Sequence, residues 1–367
     1  MKRRIFLQTS LGLTLAAPLS AAVERLQLDG ITDVLSKAAS SGQVRAAALY
    51  IRKGDFSFSK SFGAAKSLDA IFLLASISKP ISTTAVMNLF DQEKLALDDK
   101  VKKFIPEFTG DGRQSITMRQ LLTHVSGLPD QLPQNAMLRG RHAKLAEFVA
   151  GAIRTPLLFA PGSRYSYSSM AVLLATEVAQ RITGTPFPTF LGETVFKPLK
   201  MNHSALGMGA FKLEALQQCQ VESAATESGA GDPKTKTWDW NSLYWRKLGA
   251  PWGGAHGSAA DVGRFLNEFL HPSGKALKPA TARLMITNHN SPGLRPRGLG
   301  FDLGGGTSSA LCSEKVFGHT GSTGTLCWAD PVHDSICVVL TTLPGRAASP
   351  HPRNQTSDRI AKAVNAN

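Results

Sequence analysis

Apolar and polar positions recur with two different periods along this chain. Ala46-Ala47-Ala48-Leu49-Tyr50-Ile51 and Phe56 to Phe62, the latter close to period two, flank the turn signal Lys53-Gly54-Asp55 and predict a hairpin. Near the other end, Arg297 to Leu303, Thr325 to Trp328 and Ile336 to Thr342 read as strands, and about Thr356 to Val364 as a terminal helix. Between them the period lengthens. Met118 to Val125 closes at Ser126-Gly127, Ala143 to Ile153 follows, and Met170 to Ile182 closes at Gly184, a helix-ending pattern. Strands at both ends with helices between them predict one sheet fed by both ends of the chain. The length exceeds what one typical core organises, which predicts two lobes.

Within this pattern, the spacing Ser-x-x-Lys occurs twice. Ser57-Phe58-Ser59-Lys60 falls in the period-two stretch, where side chains three apart point to opposite faces. Ser76-Ile77-Ser78-Lys79 follows the strand-like Ile71 to Ala75 and opens a segment with Ile81, Ala85, Val86, Leu89 and Phe90 at helical spacing. Pro80 is tolerated there because it falls near the first turn. On such a helix an amine three residues on can reach the hydroxyl. A serine hydroxyl is a weak nucleophile until an adjacent base takes its proton, so the pair reads either as catalytic or as an ordinary helix N-cap.

The N-terminus, Met1-Lys2-Arg3-Arg4-Ile5-Phe6-Leu7-Gln8, puts a twin arginine before an apolar run from Leu11 to Ala22 that ends in small residues. This predicts a twin-arginine-type export signal over residues 1–22, with a retained anchor as the alternative. The run is too short for a stable membrane span. Loss of Lys2, Arg3 and Arg4 lowers the formal net charge from +14 to +11, compatible with association with anionic cell-envelope material. The basic residues are dispersed and no nucleic-acid motif is present, which argues against nucleic acid as a partner. Cys219, Cys312, Cys327 and Cys337 lack metal or redox spacing, and no two of the nine histidines lie within four residues of each other. No metal site and no cofactor are expected. Cys327 and Cys337 fall on neighbouring strands, and whether they pair stays open. Trp238, Trp240, Trp245 and Trp252 crowd into fifteen residues after the loop-like Ser223 to Lys236, as packing of that region or as an apolar substrate wall.

Ser-Lys chemistry needs a proton relay and an oxyanion site. Pro161-Gly162-Ser163-Arg164-Tyr165-Ser166-Tyr167-Ser168-Ser169 is a polar loop before a helix that can bring a phenol to Lys79, whose cation would depress the phenol's pKa. Gly318-His319-Thr320-Gly321-Ser322 opens a strand whose small residues let a substrate lie along its edge.

These elements together resemble the serine β-lactamase and penicillin-binding family, in its class C-like branch, which includes D-alanyl-D-alanine carboxypeptidases and esterases. Ser76-x-x-Lys79 matches the family's Ser-x-x-Lys, Tyr167-Ser168-Ser169 its Tyr-x-Asn, and His319-Thr320-Gly321 its Lys/His-Thr-Gly, in family order. Leu121 to Pro129, Pro161-Gly162 and Gly253-Gly254 also resemble recurrent segments of the branch. The likeness spans residues from about 30 to 345 and implies an α+β fold of the β-lactamase/transpeptidase type. That fold is an antiparallel sheet flanked by terminal helices (about 23–75 and 271–367) with an inserted mainly helical lobe (about 76–270). It further implies Ser76 as nucleophile, Lys79 and Tyr167 sharing the proton transfers, and the backbone amides of Ser76 and Ser322 as oxyanion hole. Ser169, His319, Thr320 and Gly321 would contact an ester, amide or D-Ala-D-Ala-type peptide substrate.

Two departures bear on the substrate. Ser169 stands where Asn is usual; its shorter hydroxyl still reaches for Lys79 but loses the amide. His319 replaces the lysine of efficient β-lactamases and is mostly neutral at pH 7, which weakens capture of a substrate carboxylate. Ester or peptide hydrolysis is therefore expected ahead of efficient β-lactam hydrolysis. His124 is expected to tie its loop down rather than to act in catalysis. A weakly active or inactive binding or sensor protein on the same fold is the alternative to an enzyme.

Overall fold

In the computed structural model, which describes residues 28–225, 228–305 and 309–365, the period-two segments form one six-stranded antiparallel sheet. Its strands are β1 (Ala46–Lys53), β2 (Phe56–Gly63), β6 (Asp302–Leu303), β7 (Phe317–Gly321), β8 (Thr325–Asp330) and β9 (Ser335–Thr341), in the order β2-β1-β9-β8-β7-β6. The junction of the two chain ends is the β1–β9 pair, with Leu49 opposite Val339. A second, three-stranded sheet joins β3 (Phe72–Leu73), β5 (Ala255–Gly257) and β4 (Ala205–Leu206).

The central strands are buried on both faces, so alternate residues feed two different cores. Ala47, Leu49, Trp328, Cys337 and Val339 face α1 (Leu28–Ser40) and the C-terminal helix α6 (Pro352–Asn365), and the Trp328 Nε1–H donates to Ser357 Oγ at 2.9 Å. Ala46, Ala48, Cys327, Ile336 and Val338 face the larger core. That core holds α2 (Ser78–Asp91), α3 (Leu145–Arg154), α4 (Ser169–Thr183) and α5 (Ala259–Leu270). Helix α5 lies directly against β1, β8 and β9, and a Cβ on its Gly263 would strike the Tyr50 ring. The helix stop read at Gly184 holds, capping α4 with φ +66°, the left-handed value that glycine adopts without strain, whereas the helix expected to close at Ser126-Gly127 already ends at Leu122, with Thr123 as its cap.

Some local expectations are corrected. Arg297 to Leu303 is not a continuous strand; it turns back on itself, with Arg297 bridged to Asp302 and the Gly298 amide bonded to the Phe301 carbonyl at 3.0 Å. The helix of the Ser-x-x-Lys segment begins at Ser78, behind a 3-10 turn at Ala75–Ile77, and the preceding strand shrinks to Phe72–Leu73. Cys327 and Cys337 face the two different cores, which rules out a bond between them in this arrangement; both are free, and burial pushes both thiols up. The predicted export signal lies outside the described residues. None of the described helices is long and apolar enough to cross a membrane.

Candidate active site

Ser76 sits in the 3-10 turn between β3 and α2, and the residue before it, Ala75, has φ +48°. A non-glycine residue held there costs on the order of 1–3 kcal/mol, which the surroundings must offset. They do so with hydrogen bonds from the Thr323 and Thr325 hydroxyls to the Leu73 and Leu74 carbonyls, at 2.8 and 2.9 Å. Gly321 presses onto the same spot: a Cβ there would lie 2.5 Å from the Leu74 carbonyl and collide with Thr325 Oγ1. Glycine at 321 therefore lets the end of β7 close against the serine turn. Behind the β7–β8 turn, Arg353 Nη1 donates to the Gly321 and Thr325 carbonyls at 2.7 and 2.9 Å.

From the first turn of α2, Lys79 Nζ donates to Ser76 Oγ at 3.1 Å and to the Trp252 carbonyl at 2.9 Å, with only 1% of the residue exposed. Burial pushes its pKa down to about 7; Asp130 opposes the shift and the Arg297 guanidinium adds to it. A fraction of the lysine is then a free amine at neutral pH, able to accept the Ser76 proton through the contact already made. The Ser57 copy has no such geometry: it lies in β2, where Lys60 Nζ reaches Thr32 Oγ1 at 3.5 Å.

Tyr167 is delivered by the loop before α4, which is fastened to the His124 turn. The Ser166 amide donates to the His124 carbonyl at 2.9 Å and the Ser168 amide to His124 Nδ1 at 3.2 Å. This is the tethering role expected of His124, whose φ of +62° bends the chain toward the loop. The Tyr167 side chain acts electrostatically on Ser76, and Lys79 Nζ lies 4.6 Å from its ring centroid. The phenol's pKa is not depressed, as the sequence suggested, but raised: burial outweighs the help of Arg297 and Ser76. Tyr167 is therefore protonated at rest, suited to relay a proton rather than to remove the first one.

The remaining positions divide. Thr320 is half-buried and Ser322 exposed at the end of β7, beside the serine turn. Ser169 and His319 do not do what the sequence suggested. The Ser169 hydroxyl donates to Asp130 Oδ1 at 2.6 Å rather than reaching Lys79, because the carboxylate also takes the Ser169 amide, at 2.9 Å, and holds the side chain back. His319 is 2% exposed, and both of its ring nitrogens are engaged: Arg297 Nη2 donates to Nε2 at 3.0 Å and Nδ1 donates to the Thr320 carbonyl at 2.7 Å. This pattern fixes a neutral imidazole with its proton on Nδ1. Burial, aided by Arg297 and Lys79, holds its pKa well below the usual value. Its ring edge is thus not free for a substrate carboxylate.

Three contributors carry no motif of their own: Asp130, Arg297 and the Trp252 carbonyl. Asp130 follows immediately on the Leu121 to Pro129 segment, and Arg297 precedes Gly298-Leu299-Gly300, which are their only sequence signals. Three of the four crowded tryptophans serve packing, and Trp238 is only half-buried. Trp240, Trp245 and Trp252 are buried, with Trp245 and Trp252 ring centroids 6.3 Å apart and Arg139 3.7 Å over the Trp245 ring. Among the described residues no cluster of three His, Cys, Asp or Glu could hold a metal.

A hydroxyl, a buried amine and a phenol joined at a strained turn beside a strand edge make a serine-hydrolase geometry, and comparison with known proteins identifies its kin. The family model named Beta-lactamase matches residues 31–362. The chain belongs to the beta-lactamase family. A relative in Escherichia coli (strain K12), provisionally named D-alanyl-D-alanine carboxypeptidase, is 25% identical, over 90% of this chain and 86% of its own length. Among solved structures, the D-amino acid amidase of Ochrobactrum anthropi SV3 bound to D-phenylalanine superposes with a TM-score of 0.75 at 23% identity, covering 93% of this chain and 99% of its own. EstCE1, described as a hydrolase with promiscuous acyltransferase activity, gives 0.74 at 21%, covering 95% and 100%. These likenesses establish the beta-lactamase fold, with its antiparallel sheet and surrounding helices, for this family member.

Proposed function

We propose that this beta-lactamase-family chain is an exported serine hydrolase acting through an acyl-enzyme on an ester, amide or D-Ala-D-Ala-type peptide. The observation that carries the reading is the 3.1 Å contact between Ser76 Oγ and a buried Lys79 whose amine is pushed down to about 7. Ser76 Oγ attacks the substrate carbonyl while its proton passes to Lys79 Nζ. The oxyanion is held by the Ser76 and Ser322 amides, a type of interaction worth about 3 kcal/mol per donor. Collapse breaks the bond to the alcohol or amine leaving group, which takes its proton from Lys79 through Tyr167. Water then attacks the ester to Ser76, releases the acid and returns the proton to Oγ. Esters and amides are favoured over β-lactams because the neutral, fully bonded His319 offers no charge to a ring carboxylate. Export to the periplasm or outside the cell rests on Lys2-Arg3-Arg4 and the apolar run that follows.

A panel of nitrocefin, short p-nitrophenyl esters and a D-Ala-D-Ala peptide tests the reading. Ester or peptide turnover that exceeds nitrocefin turnover and disappears in Ser76→Ala is expected; no turnover on any member would overturn it. Protein recovered outside the cytoplasm should begin near Val23, and a retained Met1 would contradict cleavage of the export segment.

A further inference from the structure

The charge that His319 does not supply is present one layer deeper. The turn at Arg297 to Asp302 is seated against α2 by Gly300, whose φ of +82° and close approach to Thr83 and Pro80 leave no room for a side chain, and its amide also ties it to the neighbouring helix Met118–Leu122 through the Leu122 carbonyl at 3.1 Å. This places the fully buried Arg297 against Asp302 and His319, with its guanidinium carbon 5.7 Å from the Tyr167 ring centroid. Lys79 Nζ faces the same ring at 4.6 Å. One phenol therefore touches both the proton-accepting amine and a guanidinium that never loses its charge.

We propose that Arg297 is a positioning residue that supplies the site's fixed positive charge, adding to burial in favouring the free-amine form of Lys79 and steadying the negative charge that develops on Tyr167 during proton relay. This rests on the acyl-enzyme reading of the site. Asp302 is not Arg297's alone: the half-exposed Arg295 reaches the same carboxylate at 3.3 Å and draws on its charge, so the buried guanidinium is only partly neutralised. The other groups facing the pair are the neutral His124 and His319, Tyr165 beneath the Arg295 guanidinium at 5.4 Å, and Asp130, which acts on Lys79 in the opposite sense. Held behind His319 and wholly buried, Arg297 acts on the protein's own proton carriers and not on a substrate carboxylate. Its closeness to Tyr167 matters because a cation beside an aromatic ring favours the anionic form of that ring more than the neutral one.

The pH dependence of kcat/KM for a p-nitrophenyl ester separates this role from a merely structural one. Arg297→Met should move the acidic limb up by about one pH unit, with roughly fivefold loss at pH 7 that is regained at higher pH. Arg297→Lys keeps the charge and should leave the limb in place even if activity falls. Asp302→Asn, which leaves Arg297 intact, should move the limb down, and gives the test an arm should Arg297→Met fail to fold. An Arg297→Met profile lowered equally at all pH values, or an Asp302→Asn limb that stays or rises, overturns the proposal while leaving the hydrolase reading intact. A wild-type protein without turnover overturns the hydrolase reading itself and this proposal with it.

Discussion

Asp130 takes both the amide and the hydroxyl of Ser169 on a single oxygen, Oδ1, at 2.9 and 2.6 Å. The residue at the family's asparagine position is thus tied to an acid from a neighbouring loop, and that acid, rather than an amide, sets the field at Lys79 from this side of the cleft. Asp130 favours the protonated lysine.

Asp130→Asn should therefore release the proton from Lys79 more readily and shift the acidic limb of kcat/KM downward, opposite in sign to Arg297→Met. The weakened anchor at the start of α4 should cost about 1–3 kcal/mol in chemical denaturation. An upward shift of the limb would contradict the assigned field.

Lys79 is a stability liability retained for chemistry. Between about 7, its value in the fold, and 10.5, its ordinary value, the unfolded chain binds a proton that the folded chain has released, so wild-type stability rises with pH through that window. Lys79→Met should abolish turnover yet raise the melting temperature. The gain should be largest below pH 7, on the order of a few kcal/mol at most, and should shrink toward pH 10. Calorimetry at pH 6 and pH 9 checks it; a gain that grows with pH would be the wrong sign.

Gly321 is where strand and serine turn meet. Gly321→Ala must push β7 away from Leu74 and Thr325, and should cost roughly 1–3 kcal/mol of stability together with most of the turnover. Esterase assay and denaturation of the purified variant read both, and wild-type turnover in Gly321→Ala would contradict the close approach.

Cys327 and Cys337 lie in adjacent strands but face opposite cores, with Cys327 opposite Val338 and Cys337 opposite Trp328. Non-reducing peptide mapping after air oxidation of folded protein should yield no peptide joining the two. Its recovery would mean a different β8–β9 register.

What the sequence made legible is what local periodicity encodes. The hairpin of β1 and β2, the helix stop at Gly184, and the approach of Lys79 to Ser76 depend on residues a few positions apart. The loop before α4 offered two phenols, Tyr165 and Tyr167, and only the likeness to a family motif singled out Tyr167. Arg297, Asp130 and the Trp252 carbonyl were not legible. Each comes from a separate loop, and their convergence follows from how helices pack on the sheet. The altered roles of Ser169 and His319 have the same cause: an unforeseen neighbour, Asp130 in one case and Arg297 in the other, claims the side chain before a substrate can. The phenol's pKa depended on burial, which a spacing does not reveal.

The central claim is that Ser76, activated by Lys79, forms the acyl-enzyme. Reacting the folded protein with a fluorophosphonate at pH 8 and locating the adduct by peptide mass spectrometry tests it most directly. A single modification on Ser76 is expected, absent in Ser76→Ala and strongly slowed in Lys79→Met. Modification of another serine, or none on a correctly folded protein that still turns over an ester, would contradict it.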